Sequence, residues 1–202
     1  MFAFVVALVT STASAEQIVG FAANCDQGTT YDMRMCWSKQ DDAAAVALKS
    51  TYAEVTAAFR KSGRSIEPLA DAQAAWVEAR DKTCAFEYQQ YLPGTIAPQL
   101  GVECDVRMTR ARTKRLAALV KNSTRSSEQP ISTAAAGELE HVYRLYLARL
   151  ARPLQLSFAS AELAWISYRD KACAVEGGTC LTQLTNERIA ELKASWVGEV
   201  FW

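Results

Sequence analysis

Trp76-Val77-Glu78-Ala79-Arg80-Asp81-Lys82-Thr83-Cys84 recurs later in the chain as Trp165-Ile166-Ser167-Tyr168-Arg169-Asp170-Lys171-Ala172-Cys173, so that both stretches read W-x-x-x-R-D-K-x-C. After each stretch a cysteine, a threonine, an arginine and a leucine follow with the same steps of 5, 3 and 4 residues. These are Cys104, Thr109, Arg112 and Leu116 in the first copy and Cys180, Thr185, Arg188 and Leu192 in the second. Upstream, Leu48 and Tyr52 match Leu139 and Tyr143. Blocks in the same order with equal internal spacing indicate two homologous units in tandem.

The repeated stretch predicts a helix in each unit, because its tryptophan, arginine and cysteine recur every four residues and so share one helix face. In the first unit we expect helices from Asp41 or Asp42 to about residue 61, from about Glu67-Pro68 to the break at Pro93-Gly94, and from about 102 to 121. The second unit repeats this plan at about 133–150, 154–175 and 179–198. Alternating β-branched runs are scarce. The predicted fold class is therefore all-α, with two homologous three-helix units in tandem that disulfide bonds hold together.

The first 15 residues, MFAFVVALVTSTASA, have the features of a signal peptide: an uncharged apolar run followed by an A-x-A ending at Ala15. The apolar run is shorter than the roughly 20 residues of a transmembrane helix. We therefore expect cleavage after Ala15, a periplasmic or secreted mature chain, and no membrane insertion after cleavage. A buried N-terminal helix is the alternative interpretation. The predicted division is a signal peptide over 1–15, a first unit over 16–121, a Ser/Thr-rich linker over 122–133 and a second, diverged unit over 134–202.

Six cysteines in a chain that looks exported predict disulfide bonds. They fall into three close couples along the chain, and sequential pairing is the expected connectivity: Cys25 with Cys36, Cys84 with Cys104, and Cys173 with Cys180. A zinc site is the competing interpretation. No C-x-x-C pair supports it, and thiolates do not persist well in an oxidising compartment.

Charge and histidine content exclude several classes of function. Lys plus Arg number 22 and Asp plus Glu number 22, so no overall field attracts nucleic acid. His141 is the single histidine, which leaves little for a His-based metal site or a Ser-His-Asp triad. We therefore expect no enzyme, no catalytic residues, no metal, no cofactor and no nucleic-acid partner. His141 itself is expected at the surface.

The repeated residues allow a functional and a structural interpretation. Arg80 and Arg169 could clamp a ligand, but a signature kept in both copies more often serves the fold. The structural interpretation places each tryptophan in the core, packs the arginine stem beside it and pairs the guanidinium with a buried carboxylate or a helix end. Asp81 and Asp170 could be general bases, but flanking Arg and Lys favour plain ionised carboxylates. The residues predicted to form this structural signature are Trp76, Arg80, Asp81, Thr109, Arg112, Trp165, Arg169, Asp170, Thr185 and Arg188.

The segment between Cys84 and Cys104 is the predicted recognition element. Residues 85–103, AFEYQQYLPGTIAPQLGVE, read as a loop that carries aromatic residues and is tethered by a cysteine at each end. Aromatic side chains on such loops are common binding hot spots. The residues predicted to bind a partner are Phe86, Tyr88, Gln89, Tyr91, Leu92 and Thr95. The alternative is that the segment is a helix end and a turn packed over the core.

These residues together resemble the lysozyme inhibitor LprI family, exported bacterial domains with a W-x-x-x-R-D-x-x-C helix and a later C-x(4)-T-x-x-R. The first unit matches from Cys25 to Leu116, including Gln73 three residues before Trp76. The second unit lacks the first cysteine couple and has Glu162 at the position of Gln73, as a diverged copy would. The resemblance implies a helical envelope domain that binds and inhibits lysozyme.

Two functions from different classes follow. The first is a non-enzymatic exported protein that binds a lysozyme or another cell-wall hydrolase. The alternative is a structural or stress-related periplasmic helical protein with no hydrolase target. An enzyme that uses Asp81 or Asp170 is a third hypothesis, and it has the least support in the sequence.

Overall fold

A computed structural model describes residues 25–121 and 127–197 of this chain. Six helices and no β-strand make up this part of the protein, which confirms the predicted all-α fold of two three-helix units. The helices are α1 (Thr30–Lys61), α2 (Glu67–Gln90), α3 (Ala97–Lys121), α4 (Thr133–Arg149), α5 (Arg152–Glu176) and α6 (Cys180–Val197). The predicted signal peptide and residues 122–126 of the predicted linker lie outside the described residues.

Helix α1 begins about three turns earlier than predicted. Thr29 is its N-cap: the Thr29 side chain accepts a hydrogen bond from the Asp32 backbone N–H, and the Asp32 carboxylate accepts one from the Thr29 backbone N–H. This reciprocal capping box satisfies two backbone donors that a helix start otherwise leaves unpaired. Asp41 and Asp42, the predicted caps, lie inside the helix. Helix α3 also begins early, at Ala97, because Pro98 fits a first helical turn.

The two units share one core through α2 and α5, the helices that carry the repeated signature. These helices pack against each other, while α1 packs on α3 and α4 packs on α6. At the contact, Trp76 and Trp165 lie among small residues, Ala79 and Ala164 among them. Small side chains allow two helices to approach closely. The tandem units therefore form a single packed body across the α2–α5 contact.

The three disulfide bonds confirm the predicted sequential pairing: Cys25–Cys36, Cys84–Cys104 and Cys173–Cys180. Cys84–Cys104 joins α2 to α3, and Cys173–Cys180 joins α5 to α6. Each unit therefore links its second helix to its third by the same covalent bond.

Replacing Cys84 and Cys104 together with alanine is expected to lower the free energy of unfolding by about 3 kcal/mol, because the unfolded chain regains the freedom of the closed loop. For a chain of this size the melting temperature should fall by roughly 6–12 °C, measured by circular dichroism. The matched control removes Cys173–Cys180, which spans 7 residues rather than 20. Because the closed loop is shorter, the free energy of unfolding should fall by less, about 2 kcal/mol. An unchanged melting temperature after removal of Cys84–Cys104 would contradict this role.

Candidate functional site

The tryptophan and arginine of each signature form a stacked pair. Trp76 and Trp165 are buried, and the guanidinium carbons of Arg80 and Arg169 lie 5.2 and 5.3 Å from the respective indole ring centres. This is cation–π geometry. Each arginine also donates to the aspartate that follows it, at 2.6 Å from Arg80 to Asp81 and 2.8 Å from Arg169 to Asp170.

The aspartates of the signature lie at the surface. The Asp81 and Asp170 side chains are 57% and 55% exposed, and Arg80 also pairs at 3.5 Å with Asp105 of α3, which is 36% exposed. These carboxylates are not the buried ones that we expected. An exposed carboxylate beside an arginine is an ordinary surface ion pair. Trp76 and Trp165 belong to the core cluster between α2 and α5.

The Thr-x-x-Arg motif connects the third helix of each unit to its second. Arg112 Nε donates to Gln73 Oε1 at 3.0 Å, and Arg188 Nε donates to Glu162 Oε1 at 2.9 Å. Gln73 and Glu162 each lie three residues before their tryptophan, so the two motifs of a unit meet. Thr109 and Thr185 are buried beside them.

The electrostatic environments of the two motif arginines differ. Burial disfavours the charged form of Arg188, but Glu162 and Glu191 outweigh it, so the pKa of Arg188 is raised above its usual value. Arg112 has a neutral partner in Gln73 and also donates to the Tyr168 hydroxyl at 3.4 Å. The second unit therefore buries an ion pair where the first unit buries a guanidinium bound to a neutral amide.

The predicted recognition loop is mostly helical. Residues 85–90 complete α2 and residues 97–103 begin α3, so only residues 91–96 connect the two helices. The prediction that Phe86 contacts a partner is wrong for this structure, because its side chain is 3% exposed. Its ring packs 5.2 Å from that of Phe158 and 6.2 Å from that of Tyr146. Phe86 therefore belongs to the core.

The other predicted contact residues are exposed at the end of α2 and in the following turn. Tyr88, Tyr91 and Leu92 are 37%, 48% and 51% exposed, which is high for side chains of this type. We call the exposed residues of this prediction the turn surface: Tyr88, Gln89, Tyr91, Leu92 and Thr95. The structure leaves all five accessible to a partner.

A cavity of about 350 Å³ lies beside the turn surface, between α2 and α3 of the first unit and α6 of the second. Tyr91 belongs both to the turn surface and to the wall of this cavity. Three carboxylates, those of Glu87, Glu103 and Glu191, also line it. Sequence reasoning missed this site because its walls come from both units, and no local motif predicts how the units meet.

A second groove of about 500 Å³ lies between α4 and α5. Its walls are mainly apolar, and one of its residues, Leu163, is 69% exposed.

His141 is exposed on α4, as predicted. In the described ranges no group of three His, Cys, Asp or Glu side chains could hold a metal ion, and no helix there is long and apolar enough to span a bilayer.

Comparisons with known proteins identify the family and the fold. An uncharacterized protein from Burkholderia thailandensis has a similar crystal structure, with a TM-score of 0.65 at 14% identity over 89% of this chain and 93% of that one. At this identity the likeness shows the fold alone. No curated protein matches the chain. The profile of the family described as lysozyme inhibitor LprI matches two segments, residues 22–116 and 127–192, which correspond to the two units. With most of its length matched in two copies, the chain belongs to the lysozyme inhibitor LprI family.

Proposed function

We propose that this chain is a non-enzymatic binding protein of the bacterial envelope whose partner is a lysozyme or another peptidoglycan-degrading enzyme. The match of both units to the lysozyme inhibitor family carries the proposal. The signature arginines support it indirectly, because they contact the core tryptophans and the Gln73 and Glu162 side chains of the neighbouring helices. The turn surface is the proposed contact region, since it presents two exposed tyrosines on a rigid, disulfide-bonded support.

The proposed location is the periplasm or the exterior, reached through the N-terminal signal sequence and with a mature chain that begins at Glu16. Three disulfide bonds and no free cysteine among the described residues are typical of an oxidising compartment. In this proposal the units of residues 16–121 and 134–202, joined by the linker of residues 122–133, act as one body.

A second candidate is a structural or stress-related envelope protein with no hydrolase target. One observation favours it: the residues shared by both units are mainly buried and account for the α2–α5 core rather than for a surface. Such a protein would have to be stable but would not need a surface that binds a hydrolase. The two candidates differ in whether a hydrolase binds.

Changing Tyr88 and Tyr91 together to alanine is expected to weaken binding to a c-type lysozyme by about 30-fold or more, because exposed aromatic anchors supply about 2 kcal/mol or more at an interface. Affinity is measured by calorimetry with the oxidised chain of residues 16–202, and inhibition by lysis of a cell-wall suspension.

The matched control for this pair is Tyr31→Ala, since Tyr31 is 60% exposed on α1 and lies outside the turn surface. The control should bind as the unchanged protein does. Equal affinity of the double variant and the unchanged protein would reject the turn surface as the contact. If the unchanged protein, at micromolar excess, neither binds nor inhibits lysozyme, that result favours the second candidate.

A further inference from the structure

The cavity between α2, α3 and α6 is lined by the carboxylate of Glu103, which lies near Arg107 without forming an ion pair to it. Within residues 25–121 and 127–197, Glu103 makes no hydrogen bond and no ion pair. Arg107, one turn further along α3, directs its guanidinium to Glu87 instead, at 2.5 Å. Burial, together with the negative charges of Asp26 and Glu87, raises the pKa of Glu103 above its usual value, and the positive charge of Arg107 offsets only part of this rise. A cation placed beside Glu103 would relieve this unfavourable environment.

The charges around the cavity leave an excess of negative charge. Arg107 forms an ion pair with Glu87, and Arg188 forms ion pairs with both Glu162 and Glu191. Glu103 and one of the two carboxylates on Arg188 are therefore not neutralised. This imbalance disfavours an anionic or purely apolar occupant and favours a cationic one.

The remaining walls suit the flat cation of an arginine or the ammonium of a lysine. Tyr91, which is 48% exposed and lines the cavity, supplies aromatic surface on which a guanidinium can stack. Thr83 lines the same cavity, is 3% exposed, and its hydroxyl oxygen has no hydrogen-bond partner. Thr83 Oγ1 and the Glu103 carboxylate are therefore two acceptors in residues that line one cavity, and an arginine or lysine side chain supplies only donors. At about 350 Å³ the cavity is at the small end of ligand pockets, which run from roughly 300 to 1,000 Å³.

We propose that this cavity receives an arginine or lysine side chain of the protein partner, with Glu103 as its counter-ion. The inference rests on the proposed function for the existence of a partner, and it adds the chemistry by which that partner is held. Tyr91 belongs both to the cavity wall and to the turn surface, so a partner docked on the turn surface would touch one wall of the cavity. The partner is thus a protein that projects one cationic side chain into the cavity.

A small probe tests the cavity without any protein partner. Nα-acetyl-arginine methylamide is titrated into the oxidised chain and compared with the citrulline analogue, which has nearly the same shape without the charge. Chemical shifts of the Thr83, Glu103 and Arg107 amides report binding. We expect the arginine probe to bind with a dissociation constant on the order of 1 mM, and the citrulline probe at least about tenfold more weakly.

Glu103→Gln should weaken binding of the arginine probe by about tenfold or more and remove most of its dependence on salt. Its melting temperature should change little, because Glu103 makes no hydrogen bond or ion pair among the described residues and its attraction to Arg107 is offset by repulsion from Asp26 and Glu87. The matched control is Glu140→Gln on α4, where the carboxylate is 67% exposed, and it should leave binding unchanged. Equal binding of the two probes, or unchanged binding in Glu103→Gln, would overturn the proposal.

A parallel titration with lysozyme separates this inference from the proposed function. Binding of the arginine probe at Glu103 without any binding of lysozyme supports the cavity chemistry and rejects lysozyme as the partner. Tight binding of lysozyme to the unchanged protein and to Glu103→Gln alike supports the proposed function and overturns the cavity inference. Loss of lysozyme affinity in Glu103→Gln, with Glu140→Gln unaffected, supports both.

Discussion

Replacing Arg188 with methionine is expected to lower the free energy of unfolding by about 3–5 kcal/mol, because it leaves the carboxylate of Glu162 buried without its partner. The two side chains are 7% and 6% exposed, and Arg188 donates to Glu162 through both Nε and Nη2. At 2–4 °C per kcal/mol for a chain of this size, the melting temperature should fall by roughly 6–20 °C in thermal denaturation.

Two further variants distinguish the cost of leaving a buried charge unpaired from the cost of lost packing. The double variant Arg188→Met with Glu162→Leu should recover most of the loss, because an apolar pair of similar volume often replaces a buried ion pair at little cost. Arg144→Met removes a surface pair with Glu140 that is 69% and 67% exposed, and should cost less than about 1 kcal/mol. A double variant no more stable than Arg188→Met alone would reject the explanation.

The first unit shows why a charged partner is not required at this position. Gln73 takes the place of Glu162 and accepts a hydrogen bond from Arg112, which is buried as deeply as Arg188. Glu162→Gln therefore recreates in the second unit an arrangement that the first unit already tolerates. In both units the side chain three residues before the tryptophan accepts from the motif arginine, as a neutral amide in the first unit and as a carboxylate in the second.

The repeat made most of the fold predictable from the sequence. Equal spacings in the two copies predicted the helices, and the order of the cysteines predicted the three disulfide bonds, because both follow from short-range pattern. The start of α1 was missed because the pattern of apolar residues weakens there, and the Thr29–Asp32 capping box decides the boundary instead. Pro93-Gly94 correctly marked a break, but α3 resumes at Ala97, so most of the predicted loop is helix.

The candidate site was only partly predictable, for a different physical reason. Exposure of Tyr88 and Tyr91 follows from their place at the end of α2, next to a turn. Burial of Phe86 depends instead on Phe158 and Tyr146, which the chain brings from the other unit. The cavity at Glu103 likewise needs α6 as a wall. Contacts between the units depend on how α2 packs against α5, and no local sequence pattern encodes that packing.

Phe158→Ala is expected to lower the free energy of unfolding by about 3–5 kcal/mol, because a fully buried ring is lost and the site cannot collapse completely. Phe158 is 0% exposed, and its ring lies 4.7 Å from that of Tyr146 on α4 and 5.2 Å from that of Phe86 on α2. Denaturant unfolding measures the change. The matched control is Leu156→Ala, two residues away and 79% exposed, which should change stability by no more than about 0.5 kcal/mol.

The same variant tests whether the two units unfold as one. Phe158 belongs to the second unit and Phe86 to the first, so their contact couples the units directly. We expect calorimetry of Phe158→Ala to show one transition at a lower temperature, and a double-mutant cycle with Phe86→Ala to give a coupling of about 0.5–1.5 kcal/mol. If the units folded independently, only one of two transitions would move and the coupling would vanish. A shared transition also bears on the cavity at Glu103, because walls drawn from both units keep their positions only while the units remain packed together.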